Sequence, residues 1–272
     1  MAGPLLGKAE GERREAKKPA SHESSKGHLI MRVCFLLFLV SSTALAQIVP
    51  EDYTLVGVAV RTRPAYDGSD SQRTDLIPVL RYYGKPWFAR TTQGVLEGGA
   101  RWALASGLDA GVQLAYEEGR KTSESSLLQN LNLPDVDPGV SIGAHIEWDS
   151  TIGQAPISLL GRVRQNSDSD RGAQADLRLN VGLHGSGGLI VAAFAQATWA
   201  SSKSIESFYA MNNADSGLLH TSIGLLGSYD LSRHWTAVAG VQARRLHGAA
   251  ADSMIVENKS SFYANAGIAY RF

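Results

Sequence analysis

Residues 261–272, SFYANAGIAYRF, alternate between two kinds of side chain up to the last residue of the chain. Every even position is apolar, from Phe262 to Phe272, whereas the odd positions include Asn265, Gly267 and Arg271. A period of two places these two sets on opposite faces of a β-strand. One face of this strand therefore suits hydrocarbon and the other suits water.

The same alternation recurs along the chain in segments of about ten residues, the length that a tilted strand needs to cross a bilayer. The predicted strands are residues 53–61, 75–83, 86–91, 93–104, 108–117, 140–149, 156–166, 176–184, 189–200, 217–229, 235–244 and 261–272. The pattern predicts an all-β fold, a transmembrane antiparallel up-and-down β-barrel of about 12 strands. Ten strands is the alternative, because the pair 86–91 and 93–104 is the least regular. Pro78 predicts a bulge or a local break in pairing within its strand.

Connection lengths and aromatic residues agree with this interpretation. The connections on one side of the predicted barrel are mostly long and polar, and those on the other side are short, as in outer-membrane barrels. The long ones are residues 62–74, 120–137, 167–171, 201–216 and 247–259. Aromatic residues near the strand ends are expected to form girdles at the membrane interfaces. They are Trp102, Tyr116, Trp148, Trp199, Tyr229, Trp235, Tyr270 and Phe272.

The beginning of the chain has a different character. Residues 1–30 are polar with a mixed charge run, which predicts a disordered extension, and we interpret it as an upstream addition to a start at Met31. A longer natural leader is the alternative. Residues 31–46 combine a short apolar run with the small-residue site Ala44-Leu45-Ala46, which predicts a cleaved signal peptide. Residues 47–272 would then form the barrel. Cleavage removes Cys34, the only cysteine, and leaves a slightly acidic chain that indicates no nucleic-acid partner.

Three motifs were considered as sites of chemistry. His220-Thr221-Ser222 places an imidazole and a hydroxyl on one face of a strand, but the predicted register turns both into the lumen and no third group is evident to orient the base. Residues 166–172 resemble the start of a calcium loop, but Arg171 replaces the turn glycine and Leu177 occupies the place of the bidentate glutamate, so a polar outer turn is expected. The glycine-rich residues 182–188 join two strands and open no helix, so a phosphate loop is not indicated.

Charged residues of both signs alternate with the apolar face and are expected inside the barrel. In a narrow barrel they would pair across the interior and plug it, whereas in a wider barrel they would line a channel. The candidate lumen charges are Glu97, Arg101, Arg162, Arg164, Asp176, Arg178 and Arg244.

Three stretches resemble the MipA/OmpV family of outer-membrane proteins: RPAYDGSD at 63–70, IPVLRY at 77–82 and GIAYRF at 267–272. The most specific part is the first loop, with Pro64, Tyr66, Gly68 and Ser69. The resemblance implies a barrel of the bacterial cell outer membrane, in contact with lipid and lipopolysaccharide, with no cofactor and no catalytic residues.

For function, the resemblance implies a structural scaffold that links a lytic transglycosylase to a murein synthase in peptidoglycan biosynthesis. An adhesion or osmoregulation-linked surface barrel and a small-solute channel are the alternatives, and a lumen hydrolase on His220 and Ser222 is the remaining one. The aromatic end formed by Tyr270 and Phe272 resembles the signal that the barrel assembly machinery recognises.

Overall fold

A computed structural model describes residues 54–92 and 95–272 of the chain. The predicted extension and signal peptide, residues 1–46, lie outside the described residues. Within the described part there are twelve β-strands. They are β1 (Leu55–Pro64), β2 (Gln72–Tyr83), β3 (Trp87–Thr92), β4 (Val95–Ala105), β5 (Leu108–Glu117), β6 (Gly139–Ile152), β7 (Ala155–Asn166), β8 (Ala173–Ser186), β9 (Leu189–Ala200), β10 (Gly217–Asp230), β11 (Trp235–Leu246) and β12 (Ser260–Arg271).

The strands form one closed antiparallel barrel in which each pairs with its sequence neighbours. Closure is made by β1 and β12, whose register runs from Leu55 opposite Arg271 to Thr62 opposite Ala264. The prediction of twelve strands is confirmed, and the ten-strand alternative is wrong. Several strands are longer than predicted: β2, for example, begins at Gln72, paired with Pro64. Backbone pairing continues through these polar residues because ladder hydrogen bonds do not require an apolar face.

The two faces of each strand separate as the alternation predicts. On β1, Val56, Val58 and Val60 are exposed on the outside, whereas Ala59 and Arg61 are buried inside. Exposed aromatic side chains at the strand ends include Trp102, Tyr116, Trp148, Trp199, Tyr229, Trp235 and Phe272. The barrel thus presents an apolar outer wall with aromatic residues at its ends and a polar interior.

The shortest stretch of strand pairing in the described barrel wall is that between β2 and β3. Among the described residues, their pairing covers three residue pairs and ends where Arg81 faces Arg90. The register between β1 and β2 is continuous across Pro78, which faces Val58, so the predicted bulge is not found there. The interruption lies on the β3 side, where β3 itself ends at Thr92.

The long connections all lie at one end of the barrel, and those after β5, β7, β9 and β11 contain short helices or 3-10 turns. These are α1 (Ser126–Asn130), α2 (Ser202–Tyr209) and α3 (Gly248–Ala251), with 3-10 turns at Thr122–Glu124 and Ser169–Arg171. No helix in the described ranges is long and apolar enough to span a membrane. These loops were expected to be polar, but their apolar residues pack together and are buried. We call this buried cluster the outer cap; it contains Ala65, Tyr66, Leu128, Ile205, Tyr209, Leu246, Ala250 and Ile255.

Candidate functional site

The loop between β1 and β2 folds into the outer cap and binds the loop between β11 and β12. Tyr66 is 2% exposed, and its hydroxyl donates a 2.7 Å hydrogen bond to the Ile255 carbonyl. The Gly68 carbonyl accepts from the backbone N–H groups of Glu257 (2.8 Å) and Asn258 (3.0 Å). Gly68 has a φ of 103°, a conformation that favours glycine. This loop therefore joins the first and last hairpins of the barrel.

Two other residues of the predicted motif support the same loop. Pro64 is buried at the end of β1, opposite Gln72. The Ser69 hydroxyl accepts a 3.1 Å hydrogen bond from the Ser71 backbone N–H, which tightens the turn into β2. The four motif residues thus lie together, and each shapes the loop or docks it.

Asp67 carries the electrostatic contact of the loop, a role that the sequence analysis did not assign. Its carboxylate accepts a 2.5 Å hydrogen bond from Arg244 Nη1 and another from the Tyr263 hydroxyl. Burial alone would raise the pKa of Asp67, but the positive charge of Arg244, together with His220 and these hydrogen bonds, lowers the pKa below its usual value. The first loop is therefore anchored to the barrel wall by an ionised carboxylate.

The middle of the lumen is crossed by an ion-pair cluster that we call the inner network. At its centre, Glu97 on β4 accepts 2.5 Å hydrogen bonds from Arg90 Nε on β3 and from Arg162 Nη1 on β7. Since β4 and β7 are three strands apart in the barrel, the second bond spans the interior. The network consists of Arg90, Glu97, Glu147, Arg162, Arg164 and Asp176. The network therefore links β3 and β4 to β6, β7 and β8 through the interior of the barrel.

Asp176 extends the network to further strands. Its carboxylate lies 2.8 Å from Arg162 Nη2 and 3.3 Å from Arg164 Nη2. It also accepts a 2.7 Å hydrogen bond from the Thr198 hydroxyl on β9. The Glu97 side chain is 0% exposed and the Asp176 side chain 2% exposed, so these charges are satisfied almost entirely by protein groups.

The remaining candidate lumen charges lie elsewhere in the barrel. Arg178 donates to Asn180 at 2.8 Å and its guanidinium lies 4.0 Å from the Phe194 ring centre. Arg101 lies near the opposite end from the cap, 3.4 Å from Asp109. Arg244 is the partner of Asp67 in the cap. The predicted lumen charges therefore lie at different heights along the barrel axis and do not form one cluster. Arg90 was not among them, because β3 is too short to show a clear alternation.

A chamber of about 210 Å³ lies between the outer cap and the inner network. Charged groups from five strands and three loops line it. Its guanidinium groups are those of Arg61, Arg63, Arg162, Arg164, Arg171 and Arg244, and its carboxylates are those of Asp67, Glu117, Glu118 and Asp176. The chamber thus has more basic than acidic side chains.

The motif at His220-Thr221-Ser222 and the turn at residues 166–172 both have structural roles. His220 and Ser222 are both buried on the lumen side of β10, and Ser222 Oγ accepts a 3.0 Å hydrogen bond from Gln242. In the described ranges no hydrogen bond joins His220 to Ser222. In the 166–172 turn, Asp168 Oδ1 accepts from the Asp170 backbone N–H at 3.0 Å, so this carboxylate caps a 3-10 turn.

The family model for the MltA-interacting protein MipA matches residues 56–272, which is almost the whole barrel. Among solved structures, the chain is similar to the NanC porin at 13% identity, with a TM-score of 0.47 and coverage of 80% of this chain and 98% of that one. An outer membrane channel from Pseudomonas putida F1 gives 12% identity, a TM-score of 0.49 and coverage of 86% and 100%. No curated protein matches significantly. Similarities to solved structures at this level do not bear on ligand or function.

Proposed function

The chain belongs to the MipA family, and on this premise we propose that it is a structural barrel that scaffolds enzymes of murein metabolism. Its place is the bacterial outer membrane, with the apolar strand faces against lipid and the long loops on the lipopolysaccharide side. The description of the family as MltA-interacting supports a murein hydrolase as partner. The proposed role is to hold a lytic transglycosylase near a murein synthase.

The observation that carries this proposal is the inner network. The bond from Arg162 to Glu97 joins β7 to β4 through the interior, whereas the bonds from Arg90 to Glu97 and from Arg162 to Asp176 join neighbouring strands. Ion pairs of this kind stiffen the barrel and obstruct part of its lumen. This supports a scaffold over a small-solute channel.

The short turns on the side opposite the cap are the proposed docking surface for the murein enzymes. The turn between β10 and β11 is the most exposed candidate: Leu231 is 54% exposed, and Ser232, Arg233 and His234 are exposed beside it. An exposed leucine next to a basic residue suits a partner surface with an apolar patch and acidic groups. We further propose that Tyr270 and Phe272 serve as the signal for the barrel assembly machinery.

The proposal assigns no catalytic role to the barrel. A serine nucleophile needs a base within hydrogen-bond reach, but Ser222 accepts its hydrogen bond from Gln242, an amide that cannot act as that base. His220 and Ser222 serve better as polar lumen residues.

Conductance distinguishes the scaffold from the channel. We expect the refolded protein in a planar bilayer to give no steady channel openings. Regular openings with a defined conductance and ion selectivity would favour the small-solute channel. An adhesin, in contrast, would bind host or surface polymers through the loops of the outer cap.

Direct binding tests the scaffold itself. The barrel in lipid nanodiscs should retain a purified lytic transglycosylase, and Arg233→Glu should weaken retention. Lys203→Glu is the matched control, because it makes the same charge change on an exposed side chain in the outer loops. Equal retention by Arg233→Glu and Lys203→Glu would reject this docking surface, and no retention by the unaltered barrel would reject the scaffold.

A further inference from the structure

The chamber contains hydrogen-bond donors that the protein does not use. Arg164 Nε and Arg244 Nε are buried donors that have no hydrogen-bond partner in the described part of the chain, and His220 Nδ1, which donates in one tautomer, is also without a partner there. Arg164 and His220 are each more than nine-tenths buried, at 8% and 6% exposed. Buried donors without partners are costly, so their collection around one cavity indicates a group that accepts hydrogen bonds there.

Arg171 adds a positive charge without a counter-charge. Its Nη1 donates to the Asp137 carbonyl at 2.7 Å, and none of the described carboxylates forms a salt bridge with it. Arg171 borders the chamber together with Arg164, whose own carboxylate partners, Glu117 and Asp176, also border it. Arg164 is thus balanced by carboxylates, and Arg171 supplies the positive charge that remains unbalanced on this side of the chamber.

The chamber borders the barrel wall at the end of the short β3–β4 hairpin, where Thr92 and Val95 line it. A second cavity, of about 290 Å³, shares Arg61, Arg63, Glu118 and Gly119 with the chamber. It is bordered as well by Leu76, which is exposed on the outer wall. We call this second cavity the window. It exists because β2 continues beyond the end of β3 and has no ladder partner on that side among the described residues.

Ion pairs, and not backbone hydrogen bonds, bridge the window. Glu118, in the loop after β5, lies 2.5 Å from Arg61 Nη2 and 3.0 Å from Arg63 Nη2 on β1. Arg73 on β2 pairs with Glu124 in the same loop. Side-chain bridges of this kind can separate without breaking the sheet, and a lateral path from the membrane side to the chamber requires that they do so.

We propose that the chamber is a binding site for a phosphate group, carried either by a free solute or by the headgroup of a membrane lipid that enters through the window. Guanidinium groups suit this ligand because their planar forks donate paired hydrogen bonds to phosphate oxygens. Arg171 supplies the charge, and the unused Nε–H donors of Arg164 and Arg244 supply further contacts. This site is independent of the scaffold role.

Calorimetric titration of the protein, refolded in an uncharged maltoside detergent, tests the proposal. The probes are inorganic phosphate for the free solute and dihexanoyl phosphatidic acid for the lipid headgroup. Arg171→Gln should weaken binding about tenfold, since it removes a charged donor. Arg245→Gln is the matched control, because Arg245 follows Arg244 on β11 but is exposed outside the lumen. Each variant is first checked for its folded, heat-modifiable gel mobility.

Each outcome has a definite meaning. Saturable binding that Arg171→Gln weakens and Arg245→Gln does not would support the site. Binding of inorganic phosphate then assigns a free solute, and binding of phosphatidic acid alone assigns a lipid headgroup. If neither probe binds the unaltered protein, or if both variants weaken binding equally, the proposal is wrong.

Discussion

Glu97→Gln removes the carboxylate that two arginines share at the centre of the inner network. The substitution keeps the size of the side chain, but it removes the charge that faces Arg90 and Arg162, each 2.5 Å away. The Glu97 side chain is 0% exposed, so water does not replace the lost contacts. Two buried charge-assisted hydrogen bonds are weakened while the arginines keep their second partners, Glu147 and Asp176. We expect the free energy of unfolding to fall by about 3 kcal/mol.

The assay is equilibrium urea unfolding in detergent, followed by tryptophan fluorescence. Glu147→Gln is the control: its side chain is 16% exposed and accepts one bond from Arg90, at 3.1 Å. It should cost about 1 kcal/mol. The slope of the unfolding curve should stay the same for both variants, which keeps the comparison valid. If Glu97→Gln lowers the free energy of unfolding no more than Glu147→Gln does, Glu97 is not the central stabilising group of the inner network.

Two further predictions concern the ends of the barrel. Deletion of Phe272 should lower the amount of barrel inserted in the outer membrane more than it lowers the stability of the refolded protein. The effect on stability should be small because Phe272 contributes one backbone hydrogen bond to Thr54, at 3.1 Å, and an edge contact with Tyr270. Normal membrane levels of the truncated protein would contradict the assembly signal. For Asp67, the lowered pKa means that its stabilisation is present above the unfolded value of about 3.9 and is lost as the pH falls below it. The difference in urea midpoint between the unaltered protein and Asp67→Asn should therefore shrink between pH 5 and pH 3, and a constant difference would reject the ionised anchor.

The barrel could be predicted from the sequence because hydrocarbon contact imposes a strict period on every strand. Val56, Val58 and Val60 show this on β1, and the last strand shows it to its final residue. Where strands leave the membrane the constraint ends, so the polar start of β2 at Gln72 gave no signal.

The contents of the barrel were harder to predict. The inward direction of Glu97 and Arg162 follows from the alternation, but their pairing depends on how β4 and β7 face each other after closure. The outer cap was missed for a related reason. Ile205 and Ile255 lie in different loops, and neither loop has enough apolar residues to indicate a core alone.

The contact between the first and last loops has a consequence for the order of folding. Tyr66 and Ile255 are 189 residues apart in the chain, and the pairing of β1 with β12 brings the two loops that hold them to the same part of the barrel. Contacts between such distant segments form late, since the intervening chain must be ordered first. Docking of the first loop thus indicates that the barrel has closed. In a barrel that is still open this loop is accessible to proteases, and in the closed barrel it is buried.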